Sequence, residues 1–178
     1  MTIIDHRLEL PDRLETDRLV LRAPEHADIE AITALAQSEA IHSMTTLPHP
    51  YEREHARQFV EGHARSDAEF AYAIVTRDGT LVGVTGLHFR SDRPHEIGYW
   101  IGEPFWGNGY ATEAAGALVN AAIEAGTQVL NAQARSENAA SRAVLLKLGF
   151  ASMGQAVADC GPHKGVSITS YRLEGSAR

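Results

Sequence analysis

The chain has 178 residues, 44% hydrophobic and 22% charged, with a formal net charge of −7. That length suits one domain with one sizeable core, and the acidic balance lacks the clustered Lys and Arg that nucleic-acid phosphates require, so no nucleic-acid partner is expected. The longest charge-free stretch in the strongest helical pattern runs only from Ala114 to Ile123, well short of the ~20 apolar residues of a membrane span, and with no signal peptide after Met1 and a lone Cys160 the expected compartment is a reducing cytoplasm.

Taken in chain order, Leu19 to Arg22 reads as a first strand, ended by Ala23-Pro24. Asp28 to Gln37 places Ile29, Ile32, Leu35 and Ala36 at helical spacing. Ser43 to Pro50, with two prolines, reads as a loop, and Glu52 to Ala64 as a second helix carrying Ala56, Phe59, Val60 and His63 on one face. Glu69 to Thr76, Leu81 to Arg90 and His95 to Ile101 are aromatic and β-branched runs separated by turn residues, which predicts three consecutive antiparallel strands. Then come a helix over Tyr110 to Ala125, a strand over Val129 to Arg135, a helix over Asn138 to Leu148, and strands over Ala151 to Ala158 and Ile168 to Leu173. A meander feeding a strand–helix–strand–helix unit gives an α/β fold, a mixed sheet covered by helices. With no repeat or linker, residues 1–178 read as a single domain, 1–13 as a flexible lead and 174–178 as a tail.

The segment Trp106-Gly107-Asn108-Gly109-Tyr110-Ala111-Thr112-Glu113-Ala114 puts two glycines where a strand turns into a helix N-terminus. Glycines admit close backbone approach, the turn's N–H groups converge, and the helix dipole adds about half a positive charge, so a pyrophosphate could be held without a lysine. A P-loop is rejected because no Gly-Lys-Ser/Thr follows, and the dinucleotide fingerprint would need Gly or Ala where Thr112 stands. On these residues alone a tight turn and capped helix without ligand stays open.

The following helix, opening Asn138-Ala139-Ala140-Ser141 and closing Leu145-Leu146-Lys147-Leu148-Gly149-Phe150, tips that balance. Together with the glycine segment and the strand order, it resembles the GNAT superfamily of N-acetyltransferases. Glu15-Thr16-Asp17-Arg18-Leu19-Val20-Leu21-Arg22, Leu47-Pro48-His49-Pro50-Tyr51 and Ile97-Gly98-Tyr99-Trp100-Ile101 are similar to the branch of bacterial enzymes that acetylate ribosomal-protein N-termini (Rim-type). The resemblance covers about Leu14 to Leu173. It implies a GNAT-like, mostly antiparallel twisted sheet splayed at the cofactor between the fourth and fifth predicted strands. It further implies acetyl-CoA as cosubstrate, a primary amine as acceptor, whether a peptide N-terminus or a small amine, and room for a homodimer. Cofactor residues implied are Trp106, Gly107, Asn108, Gly109, Tyr110, Ala111 and Thr112 around the pyrophosphate. Main-chain groups of Trp100, Ile101 and Gly102, and Asn138, serve the pantetheine arm. Trp106 stands where the family usually has a polar residue, which leaves phosphate binding to the amides. For Asn138 a helix N-cap is an equal alternative.

Amine attack on a thioester needs a route for the ammonium proton, an oxyanion donor and a proton for the departing thiolate. Many superfamily members supply the last from a tyrosine seven residues after the helix asparagine, but here that position is Leu145. Ser141, one turn earlier on the same face, is the expected donor, against a role bonding back to its own helix. Glu96 is the expected base through water, against a solvated strand-end charge; His88 and His95 are the runners-up, and the Ile101 amide is the implied oxyanion donor. Tyr99, Trp100 and Trp106 form either an acceptor wall or plain core. Nine histidines show no i, i+4 pair and there is one cysteine, so no metal is assigned.

Overall fold

The computed structural model describes residues 8–159 and 164–175; Cys160 lies outside them. Eight strands form one sheet in the order β1-β2-β3-β4-β5-β6-β8-β7. They are β1 (Arg13–Glu15), β2 (Leu19–Arg22), β3 (Glu69–Thr76), β4 (Leu81–His88), β5 (His95–Ile101), β6 (Val129–Arg135), β7 (Ala151–Val157) and β8 (Ser167–Glu174). Every neighbouring pair is antiparallel except β5 and β6. A parallel pair needs a crossover, and α4 (Tyr110–Glu124) supplies it.

Two-residue alternation sorts the strand side chains between the faces. Leu19, Leu21, Tyr72 and Ile74 join the core under α4, which buries Ala114, Ala115, Leu118, Val119, Ala121 and Ala122 along one side. Ala73, Val75 and Leu81 pack on the opposite face against α1 (Ile29–Ala36) and α3 (Arg53–Gln58). The last helix, α5 (Ala139–Lys147), follows β6 and buries Leu145.

The meander and the strand–helix–strand–helix unit stand where the sequence pattern put them. Three differences have local causes. The short polar strand β1 carries no hydrophobic alternation, and its exposed ends gave no signal. A six-residue helix, α2 (Glu39–Met44), runs into the segment read as a loop, too short for periodicity to show. The helix expected over Glu52 to Ala64 is α3 followed by a π-helical turn, Phe59–His63, in which the Ala64 N–H reaches back to the Phe59 carbonyl at 2.9 Å. The expected flexible lead is in place from Leu8: Leu10 is buried, and the Tyr72 hydroxyl donates to the Pro11 carbonyl at 2.5 Å. At the other end Glu174 closes β8 and the Gly175 N–H donates to Gln128.

Candidate active site

Strands β5 and β6 pair only at His95–Leu130, Glu96–Asn131 and Ile97–Ala132. Beyond Ile97 they part, although β6 continues to Arg135 and β5 to Ile101. A fork therefore opens in the middle of the sheet. The Gly102 N–H donates to Val82 on β4, so by alternation the N–H groups of Trp100 and Gly98 also face β4, while those of Tyr99 and Ile101 face the fork. The Ile101 carbonyl, turned the same way, accepts the Trp106 indole N–H at 2.6 Å. Trp106 thus pins the strand end while its ring stays 49% exposed.

Below the fork runs the glycine turn. Gly107 and Gly109 hold φ of +78° and +77°, the left-handed region that side chains disfavour, and Gly109 is the N-cap of α4. A Cβ at Gly107 would meet nothing within 4 Å. The turn is fastened from the segment just before β2: Arg18 bonds Glu113 in the first turn of α4 (Nε to Oε2, 2.7 Å), donates to the Asn108 carbonyl at 2.9 Å, and lies over the Tyr110 ring at 5.0 Å. The Thr16 hydroxyl donates to Glu113 at 2.6 Å. Burial pushes the Glu113 carboxyl up, but these hydrogen bonds outweigh it and hold the group below its ordinary range. Glu113 stays ionised and matched by Arg18, leaving the amides at the helix N-terminus free of net negative charge.

Fork and turn open into one cavity of about 870 Å³. Of the expected cofactor residues, Trp100, Ile101, Trp106, Gly107, Gly109, Tyr110, Ala111, Thr112 and Asn138 line it. Gly102 and Asn108 do not: the Gly102 N–H is spent on Val82, and the Asn108 amide donates to the carbonyls of Phe105 and Trp106, bracing the turn from outside. Asn138 Oδ1 accepts the Ser141 N–H at 3.0 Å, so the N-cap alternative is realised. The Nε of Arg135, on the same wall, is buried without a hydrogen-bond partner. Open space at Gly107, a guanidinium with an unbonded Nε and fork-facing amides suit a long anionic ligand threaded between the strands.

Ser141 and Glu96 both line the cavity. The Ser141 hydroxyl does not bond back to its helix; its Oγ lies 3.0 Å from the Tyr99 hydroxyl, which also reaches the Ser141 carbonyl at 3.2 Å. Burial pushes the Tyr99 phenol up to about 12, so it stays protonated at neutral pH. Leu145, in the missing tyrosine's place, is buried. The far end of the cavity is walled by the segment from Met44 to Pro48, Tyr51 and the π-turn, together with a row of charge across three strands. Glu69, His88 and Glu96 are register partners on β3, β4 and β5, so they share one face. His95 is not at the cavity; its Nδ1 accepts the Arg90 N–H and its ring packs edge-on against Phe89. The sequence reading passed over Arg18, Thr16, Glu113 and Glu69. The first three stood inside conspicuous phrases, but only the tertiary contact shows their work. Glu69 carried no local signal at all. Among the described residues no cluster of three or more His, Cys, Asp or Glu is placed to hold a metal, and no helix is long and apolar enough to cross a membrane.

A mixed sheet forked beside a glycine turn and helix N-terminus defines the site of an acyl-transferring enzyme. The model of the acetyltransferase (GNAT) domain matches residues 18–151, and the chain belongs to that family of N-acetyltransferases. It is 33% identical over 148 residues to the uncharacterized N-acetyltransferase YoaA of Bacillus subtilis, covering 79% of this chain and 84% of that protein. Among solved structures, a GNAT acetyltransferase from Bacillus anthracis superposes with a TM-score of 0.80 at 23% identity, covering 92% of this chain and 98% of that one. The RimL ribosomal alpha-N-protein acetyltransferase in complex with coenzyme A gives 0.78 at 20% identity, over 93% and 97%. The microcin self immunity acetyltransferase MccE in complex with acetyl-CoA and AMP gives 0.77 at 19%, over 89% and 93%.

Proposed function

We propose that this GNAT enzyme uses acetyl-CoA to acetylate a primary amine, a peptide or protein N-terminal α-amine in preference to a lysine, by direct attack within a ternary complex. One observation carries the reading: the β5–β6 fork joins the glycine turn and the Ser141–Tyr99 hydroxyl pair in one cavity that continues to a carboxylate-rich end. The cofactor supplies an activated acetyl thioester. The Gly107–Ala111 amides and Arg135 would hold its phosphates, and the walls at Trp100, Ile101 and Asn138 its pantetheine arm. The fork-facing N–H of Ile101 is available to a developing oxyanion. Tyr99, held neutral, can donate to Ser141 Oγ, which frees the serine proton for the departing sulfur. That pair argues for turnover over a module that merely binds acyl-CoA, despite Leu145. Glu96 stands at the acceptor end as the carboxylate that attracts the incoming ammonium.

Protons balance. The ammonium yields one proton before attack and a second as the amide forms; one leaves with water and one ends on sulfur. The α-amine preference rests on arithmetic. An α-amine of pKa about 7.7–8.0 is partly neutral at pH 7.5, whereas a lysine near 10.4 is neutral about one time in a thousand. The RimL likeness, at the level of fold, agrees with that acceptor class. A screen for free thiol, combining protein and acetyl-CoA with N-terminal peptides, polyamines and amino acids, tests the reading. Release with α-amine peptides supports it. Release confined to polyamines or amino acids refutes the peptide acceptor, and none with any amine refutes acetyl transfer to amines.

A further inference from the structure

Within the same cavity, and resting on the acetyl-transfer reading above, we propose that His88, oriented by Glu69, takes the proton from the acceptor ammonium, with Glu96 acting as an anionic guide instead of the base. His88 ends β4 between two carboxylates, Glu69 on β3 and Glu96 on β5. Its Nδ1 faces Glu69 Oε2 at 4.0 Å, a gap that a bridging water or a small rotation of the carboxylate closes. Its Nε2 lies over Gly98, where an added Cβ would stand 3.3 Å away. The missing side chain at Gly98 thus admits the ring to β5 one residue past Ile97, where the fork opens. One imidazole nitrogen faces a half-buried carboxylate and the other lies against Gly98 in the cavity lining. This is the arrangement in which an orienting acid fixes the tautomer of a general base.

The surroundings fit that role. The Glu69 side chain is 23% exposed, and burial pushes its carboxyl up while His88, His63 and Arg90 pull it back. An imidazolium at His88 would face carboxylates on both sides, with His63 and Arg90 as the opposing cations. Among the described residues no side chain hydrogen-bonds or ion-pairs with Glu96 to orient it, and a carboxylate acting through water is a weak acceptor for an ammonium. The step is simple: Nε2 accepts one proton from R–NH3+, giving R–NH2 and an imidazolium, and the imidazolium releases that proton to water after attack.

The test measures kcat/KM against pH for a short peptide with a free α-amine, in the full-length protein and three variants. His88→Gln is expected to lose about 10²-fold or more and to abolish the acidic limb of the profile. Glu69→Gln, a positioning change, should move that limb to lower pH by about half a unit or more, as loss of a neighbouring anion lowers an imidazole pKa. Glu96→Gln should raise KM and leave the limb in place. In parallel, NMR titration of the His88 ring should show an inflection that Glu69→Gln displaces downward, a readout independent of turnover and of how well His88→Gln folds. Retention of the limb with kcat/KM within threefold in His88→Gln, an unmoved inflection in Glu69→Gln, or loss of the limb in Glu96→Gln would each overturn the proposal. A wild-type protein that releases no thiol with any amine overturns the acetyl-transfer reading itself, and this base assignment with it.

Discussion

The two ends of the cavity are built from different materials. The end proposed for the cofactor is backbone: two glycines with positive φ, the first turn of α4 and a strand edge that has lost its partner. The end proposed for the acceptor is side chain: Glu69, His88 and Glu96 from three strands, with residues of the segment before α3 lining the same cavity. A backbone site tolerates variation in sequence as long as the turn keeps its shape, whereas a side-chain site changes with every substitution. One family can therefore keep the acetyl donor constant and vary the acceptor.

Breaking either end should leave the other intact. The largest loss is expected at their meeting point: Ser141→Ala should lower kcat by about 10²-fold or more with acetyl-CoA affinity nearly unchanged, since a positioned proton donor contributes about 10²–10⁴. Turnover within threefold of wild type would move the thiolate's proton to another source.

At the cofactor end, acetyl-CoA at a hundredfold excess over Kd should stabilise the protein by about 2.7 kcal/mol, or roughly 5–10 °C in Tm. Gly109→Val should abolish that shift, because a β-branched residue at φ +77° cannot keep the turn and its side chain would crowd Arg18. The milder Gly109→Ala reports the same loss in smaller degree. A full shift in both folded variants would place the cofactor elsewhere. Arg18→Gln, which loosens the turn without touching the cavity, should weaken acetyl-CoA binding by about 0.5–1 kcal/mol, roughly two- to fivefold by calorimetry.

The smallest effect is on stability at the acceptor end. The Glu69 carboxyl is raised above its ordinary 4.5 mainly by burial, so the folded state holds its proton more tightly than the unfolded chain. Its contribution to stability is therefore full below that value and is lost as pH rises through the folded pKa. Glu69→Gln should leave Tm at pH 7 unchanged or slightly higher while activity falls, the signature of a group kept for function. A clear drop in Tm at pH 7 would make Glu69 a structural ion-pair partner.

The same contrast explains what the sequence made legible. The Gly-x-Gly turn, the helix that follows and the Asn138 cap are local, with a few residues setting each geometry, and the structure places them in the cavity wall. Local reading did not extend to where Asn108 and Gly102 spend their donors: the Asn108 side chain braces the Phe105 carbonyl and the Gly102 N–H pairs with Val82. Ser141 is legible through the gap left at Leu145, but its partner Tyr99, 42 residues away in sequence, reads only as an aromatic wall or plain core. Glu69 and His88 are cross-strand neighbours whose relation depends on register, and a one-residue slip would part them. Alternation shows which strands exist, and pairing across strands is what assembles the acceptor end.

The central claim, acetyl transfer to an α-amine, is tested most directly with one short peptide made in two forms, α-amine free with lysine blocked, and the reverse. The account predicts a kcat/KM larger by about 10²-fold for the free α-amine at pH 7.5, following the roughly 3 kcal/mol extra cost of deprotonating lysine. A preference for the lysine form, or equal rejection of both, would contradict it, the second outcome turning the site toward a small-molecule amine.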